Sequence, residues 1–267
     1  MGIRGLWPVV TKAVKPTRGK IPVEPNTRYL VDLFGTFFTS IRYLFATNPQ
    51  NPQNAINGIH SLLMSRFSHV QQNVTIFVDG HRTLEKDTTT LTRIQTAQGQ
   101  LATKAQSIVQ EIETKAPAGR TVSKAKRGRC YRLLWQSYHL TYAQRQALST
   151  ALRGLGWTVV LAEAEADLAI EQYSALVAVA STLNTAVISA DSDFFIHPKI
   201  RAVYRPTSNQ EFLFYDIAQC WNQLKLSRAK LTALGIVCHN DYSTNIHGFA
   251  VATNLSIIQG LDEGKSC

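Results

Sequence analysis

The chain has 267 residues, 45% of them hydrophobic, and a formal net charge of +10. That length accommodates one large α/β domain with a substantial core, and the basic excess points to a polyanionic partner. The cysteines, Cys130, Cys220, Cys238 and Cys267, are widely spaced with no CxxC pair, which argues against a zinc site or a disulfide framework.

The opening residues lack the apolar core of a signal peptide, and Ser181, Thr182 and Asn184 interrupt the apolar stretch 175–190. A soluble, intracellular protein with no membrane partner is therefore expected. Residues 1–28, rich in Pro and Lys with little periodicity, read as an irregular arm beside the first strand. Tyr29, Leu30 and Val31 then form a strand that delivers Asp32. An aromatic stretch, 36–46, reads as a buried helix, and the Asn- and Pro-rich 48–53 breaks it. Residues 55–71 predict a second helix with Ile56, Ile59, Leu63 and Phe67 on one face. The strand 75–78 follows and delivers Asp79, with Gly80 behind it.

From 84 to 114 the chain is polar and helix-compatible, and from 114 to 162 it contains no acid. Within the acid-free stretch lie Lys115, Arg120, Lys124, Lys126, Arg127, Arg129 and Arg132. A basic insertion of this kind neutralises phosphates and makes binding salt-dependent; a linker is the competing reading. Tyr131, Trp135 and Tyr138 have the spacing either of stacking residues or of core residues. Lys124, Lys126, Arg127 and Arg129 also have the composition of a nuclear localisation signal, which is compatible with nuclear residence. Residues 140–155 predict a helix ending at Gly156, and 157–161 and 185–189 predict central strands of a parallel sheet joined by a helix over 165–180. Short edge strands, paired as a hairpin, are expected at 201–205 and 211–215, and helices from 216 onward.

Four of these strands end in acid: Asp32; Asp79; Glu163 with Glu165; and Asp191 with Asp193. In open α/β sheets ligands bind beyond the carboxyl ends of the strands, so the four ends should face one crevice. Like charges massed there repel unless cations hold them, and hard oxygen donors suit Mg²⁺ or Mn²⁺. An acid after a strand can also simply cap the next helix, and for any single one of these residues that alternative is as good. Ser189 and Ser192 flank the site but no His completes a triad, so metal-assisted phosphodiester hydrolysis is favoured over covalent catalysis.

Taken together, the motifs resemble the flap endonuclease/XPG family of 5′ nucleases. They are the opening Gly2, Ile3, Arg4, Gly5, Leu6 and Trp7; Asp79 and Gly80; Glu163, Ala164 and Glu165; Val187 to Asp193; and Asn240, Asp241 and Tyr242 followed by Ile246, His247 and Gly248. They occur in family order across nearly the whole chain. The resemblance implies an α/β, PIN-like core with a central, mainly parallel sheet flanked by helices, a helical arch or clamp insertion, and a C-terminal helix–two-turn–helix element. Its regions would be nuclease at 1–93, basic arch and cap at 94–139, nuclease again at 140–215, and the helix–two-turn–helix region at 216–267. It implies two Mg²⁺ ions, replaceable by Mn²⁺, held by Asp32, Asp79, Glu163, Glu165, Asp191, Asp193 and Asp241. Lys86 and Arg93 would contact the scissile phosphate, Gly2 would bring the amino terminus near the site, and Lys124, Lys126, Arg127, Arg129 and Gly248 would bind nucleic acid.

The implied activity is a structure-specific 5′ nuclease, endonucleolytic or exonucleolytic, on DNA with a 5′ flap or free 5′ end, acting as a monomer. A non-cleaving scaffold for nucleic acid or protein, and an RNA-directed nuclease, are the alternatives. Two departures from the family pattern stand out. Ala250 and Ala252 replace a Gly and a Lys of the duplex-gripping loop, and 259–263 lacks the paired aromatics of a sliding-clamp tail, so clamp binding is not expected.

Overall fold

The computed structural model describes residues 3, 5–81, 99–101, 103–104, 106–111, 113–114, 123–125, 128–129, 132–133, 138–208, 210–238 and 249–261. Helix α1 (Leu6–Ala13) opens the chain, and the short strand β1 (Thr17–Gly19) follows it. The first 28 residues are therefore not the irregular arm that their composition suggests. Leu6, Trp7 and Val10 fall on one side of α1 and are buried, so packing of a single apolar turn decides the structure where intrinsic periodicity is too short to show.

Next come β2 (Thr27–Asp32), α2 (Leu33–Thr47) and α3 (Pro52–Phe67). Pro52 starts α3, where its missing N–H has no helical partner to lose. The helix expected to reach residue 71 stops at Phe67 and continues as a 3₁₀ turn, Ser68–Asn73, before β3 (Val74–Val78). Beyond the residues without description, α4 (Tyr142–Gly154) is started by a reciprocal capping box between Thr141 and Gln144. Gly156, at φ +86, turns the chain into β4 (Thr158–Leu161). The remaining elements are α5 (Ala166–Ala180), β5 (Asn184–Ile188), β6 (Ala202–Pro206), β7 (Phe212–Asp216), α6 (Ile217–Gln223), α7 (Arg228–Val237) and α8 (Val251–Gly260).

The strands form one 7-stranded sheet in the order β1-β7-β6-β5-β2-β3-β4. It is mostly parallel, with β7 antiparallel to both of its neighbours. Two expectations about strand placement need correction. The 157–161 strand is an edge strand rather than a central one: among the described residues it pairs only with β3, and Thr158 on it is exposed. The two acid-bearing strands β4 and β5 are consequently separated by β3 and β2, with α5 crossing β5, β2 and β3 to join them. The 201–205 and 211–215 strands do pair as an antiparallel hairpin, but β6 and β7 lie inside the sheet because β1 covers β7.

Both faces of the sheet are packed, which is why its strands are continuously apolar rather than alternating. Tyr29, Val31, Val74, Ile76 and Val78 point to a core shared with α2, α3 and α4, including Phe37, Leu63, Phe67 and Leu148. Leu30, Phe77 and Val187 point the other way, to a core containing Trp7, Ile170, Phe195, Tyr215, Leu234 and Leu255. Burial on both sides fixes strand register, and register in turn brings the acid-bearing ends level.

Candidate active site

Registers set the geometry. Asp32 pairs with Phe77 across the β2–β3 ladder, Val31 with Ile188 across β2–β5, and Val78 with Leu161 across β3–β4. Parallel strands end on the same side, so Asp32, Asp79, Glu163 and Asp191 all emerge at one edge of the sheet. Asp216 also follows a strand and supplies a helix cap, to the Gln219 N–H at 2.8 Å. Its strand β7 runs antiparallel, however, and therefore ends on the opposite side. The capping explanation is sufficient for that acid and insufficient for the others.

Asp32 is the best-defined member. It is 7% exposed; its Oδ1 accepts from the Gly35 N–H at 2.8 Å, capping α2, and its Oδ2 accepts from the Ser189 hydroxyl at 2.9 Å. The carboxylate lies so close to the first turn of α2 that a Cβ on Gly35 would overlap it, and would come within 2.6 Å of Ser189 Oγ. Burial and the charge of Asp79 push the Asp32 carboxyl up to about 8; the Gly35 and Ser189 hydrogen bonds draw it partly back, and Asp191 adds to the rise. Asp79 and Asp191 therefore both lie within electrostatic reach of Asp32.

Asp79 caps a helix that is not next in sequence: its Oδ1 accepts from Ala166 N–H, the first residue of α5, at 2.9 Å. Glu165 occupies the N-cap position of α5 without making a side-chain cap bond. The loops behind β3 and β4 are joined through their backbones, with Ala162 N–H donating to Val78 O at 2.9 Å, Gly80 N–H to Ala164 O at 2.7 Å and His81 N–H to Glu163 O at 2.9 Å. A Cβ at position 80 would overlap the Ala162 carbonyl, so this close approach requires glycine. Glu163 is exposed on this joined loop and Glu165 half-buried.

The Asp191 loop is fixed from two directions. Ser189 Oγ, while donating to Asp32, accepts from Asp191 N–H at 2.9 Å, and Asp191 Oδ1 accepts from Asp193 N–H at 3.1 Å. Asp193 Oδ1 accepts from Ile3 N–H at 2.8 Å, and the Ser192 hydroxyl donates to Ile3 O at 3.1 Å. Trp7 Nε1–H donates to Ala190 O at 2.7 Å. The Trp7 ring meets Phe195 edge-on at 5.1 Å, with the Arg205 guanidinium 4.5 Å from its centroid. Spacing alone does not reveal the contribution of Gly35, Ser189, Ile3 and Trp7 to the site. A glycine three residues after a strand-ending aspartate is the signal that points to Gly35.

Lys124 and Arg129 are exposed, and no described contact connects them to the acids. Gly2, Lys86, Arg93, Lys126, Arg127, Asp241 and Gly248 lie outside the described residues. Among the described residues, no three Asp, Glu, His or Cys side chains converge closely enough to grip one ion. By donor type and charge the acids nonetheless fit a hard divalent cation: the buried Asp32 lies near Asp79 and Asp191, with only neutral donors on its own oxygens. Among the described residues no helix is long and apolar enough to cross a membrane.

An acid-tipped, mostly parallel sheet with helices on both faces is the fold of flap-endonuclease-type catalytic cores. The catalytic core of Rad2 in complex with DNA substrate aligns with a TM-score of 0.61 at 17% identity, over 96% of this chain and 68% of that one. Human GEN1 in complex with Holliday junction DNA aligns at 0.55 and 16% over 99% of this chain and 56% of its own, and flap endonuclease-1 from Methanococcus jannaschii at 0.53 and 15% over 91% and 75%. No protein-family model and no curated protein sequence matches the chain.

Proposed function

We propose that the chain is a divalent-metal-dependent, structure-selective 5′ nuclease that hydrolyses phosphodiester bonds in DNA bearing a flapped or free 5′ end. The observation that carries this reading is the buried Asp32, with Asp79 and Asp191 in electrostatic reach of it, at the carboxyl edge of a fold shared with DNA nucleases. Asp32, Asp79, Glu163, Glu165, Asp191, Asp193 and Asp241 would hold Mg²⁺ or Mn²⁺. Bound there, the cations would supply activation of a water and neutralisation of charge on the phosphate.

The residues of the chain perform the remaining tasks. Gly35 and Ser189 orient Asp32, Gly80 allows the β3 and β4 loops to close on each other, and the Ile3 and Trp7 contacts hold the Asp191 loop in place. Lys86 and Arg93 are proposed to stabilise the charge that develops on the phosphate, and the basic stretch that includes Lys124 and Arg129 to guide a single strand. Helices α7 and α8, joined by Lys230 Nζ donating to Gln259 O at 3.1 Å, are proposed as the helix–two-turn–helix element that would meet duplex.

Cleavage of a 5′-labelled flap duplex, a plain duplex, a single strand and an RNA flap, each with Mg²⁺, Mn²⁺ or EDTA, tests the proposal. Metal-dependent cutting near the flap junction is expected, with Asp191→Asn abolishing it while leaving binding largely intact. Tight binding without cutting of any substrate would favour a scaffold instead.

A further inference from the structure

Two rings at the rim of the acid cluster have no role in either core. His81 and Tyr142 stack with centroids 3.7 Å apart at an interplanar angle of 25°. The next closest pair among the described residues, Tyr204 and Phe214, lies at 4.9 Å and 45°. Neither His81 nor Tyr142 belongs to the two hydrophobic clusters, and His81 is exposed while Tyr142 is half-buried.

The pair is held rigidly. His81 is fixed through its backbone by the 2.9 Å bond to Glu163 O, and the preceding Gly80 carbonyl accepts from Arg145 Nη2 at 2.9 Å. Arg145 is in α4, three residues after Tyr142, so the same helix carries one ring and anchors the loop bearing the other. Tyr142 is the first residue of α4, inside the Thr141–Gln144 capping box, and Gln144 Nε2 donates onward to the Tyr138 hydroxyl at 2.7 Å.

We propose that the His81–Tyr142 stack is a platform for one nucleobase of the bound strand, at the nucleotide next to the phosphate held by the acids. The inference rests on the nuclease reading and extends it to a base-stacking subsite. His81 is exposed, lies two residues past Asp79 and is tied by its backbone to Glu163, so a base stacked on its ring would sit beside a phosphate at the carboxylates. Every base has a π-face, so such a platform orders a nucleotide without reading its sequence, as selection for DNA structure requires. Because the rings are already stacked and their backbones anchored, little ordering is needed on binding.

The test is a double cycle of protein variants and abasic substrates. Binding of a 5′-flap duplex is measured in Ca²⁺ for wild type, His81→Ala and His81→Phe, using the intact strand and strands with one abasic site stepped across the cleavage position. The expected result is a loss of roughly tenfold for His81→Ala on the intact strand, absent at one abasic position, with recovery in His81→Phe. A second readout needs only the wild type: 2-aminopurine at that position should be quenched on binding. An equal loss at every abasic position, or no loss together with unquenched 2-aminopurine, would overturn the platform while leaving the nuclease reading intact. A wild type that neither binds nor cuts any flap, duplex or single strand would overturn both.

Discussion

Replacing Asp32 by Asn tests how the site is charged. In the folded chain the Asp32 carboxyl is pushed from 3.8 to about 8, chiefly by burial and then by Asp79. Because the folded chain holds this proton more tightly than the unfolded chain does, the linked stability is fully present below pH 4 and is lost as the pH rises through 8. At about 1.4 kcal/mol per pH unit, that window corresponds to something on the order of 5 kcal/mol. Asn keeps an acceptor for Gly35 N–H and carries no charge. In EDTA, Asp32→Asn should therefore match or fall slightly below wild type at pH 4.5, because the Ser189 bond changes, and exceed it by several kcal/mol at pH 8.5. Millimolar Mg²⁺ should recover the wild type at pH 8.5 and do much less for the variant. Urea unfolding at the two pH values, with and without Mg²⁺, measures each of these. If variant and wild type lose stability in parallel between pH 4.5 and 8.5, the buried charge is not where the structure puts it.

Gly80→Ala should lower stability by about 1–3 kcal/mol, because the added methyl overlaps the Ala162 carbonyl; faster amide exchange at Gly80 and His81 would locate the damage. Trp7→Phe keeps most of the packing but removes the bond to Ala190 O. About 1 kcal/mol of stability should be lost, and cleavage should slow at unchanged DNA affinity, since the Asp191 loop rather than the substrate loses its support; equal losses in kcat and affinity would count against this. Changing Lys124, Lys126, Arg127 and Arg129 to Ala should flatten the slope of log K against log salt, by up to roughly 0.7 for each single-strand phosphate that is no longer neutralised, and an unchanged slope would make the stretch a linker. Phe67→Ala, in the fully buried core where its ring meets Phe37 and Phe212, should cost about 3–5 kcal/mol in urea unfolding.

Some of this site can be read directly from the chain. Val- and Ile-rich runs followed by acids are local patterns, so the strands ending near Asp32, Asp79 and Asp191 are evident, and a mostly parallel sheet explains why their ends share one side. Strand order cannot be read in the same way. β4 is as apolar as a central strand, and nothing local in 157–161 shows that it pairs on one side only. β1 leaves no local signal because Thr17–Gly19 is three residues long and largely exposed, and only pairing with β7 makes it a strand. The orientation of Asp32 depends on Ser189, which is 157 positions away, and no sequence period encodes a contact at that separation.

The bond between Ile3 and Asp193 spans 190 positions and ties the residues just before α1 to the acid-bearing loop behind β5. During synthesis the sheet can begin with β2 and β3, but Asp193 leaves the ribosome only after β4, α5 and β5 have been made. Contacts at such separation form late because closing the intervening chain is entropically expensive. The carboxylate cluster is thus among the last parts of the molecule to take shape.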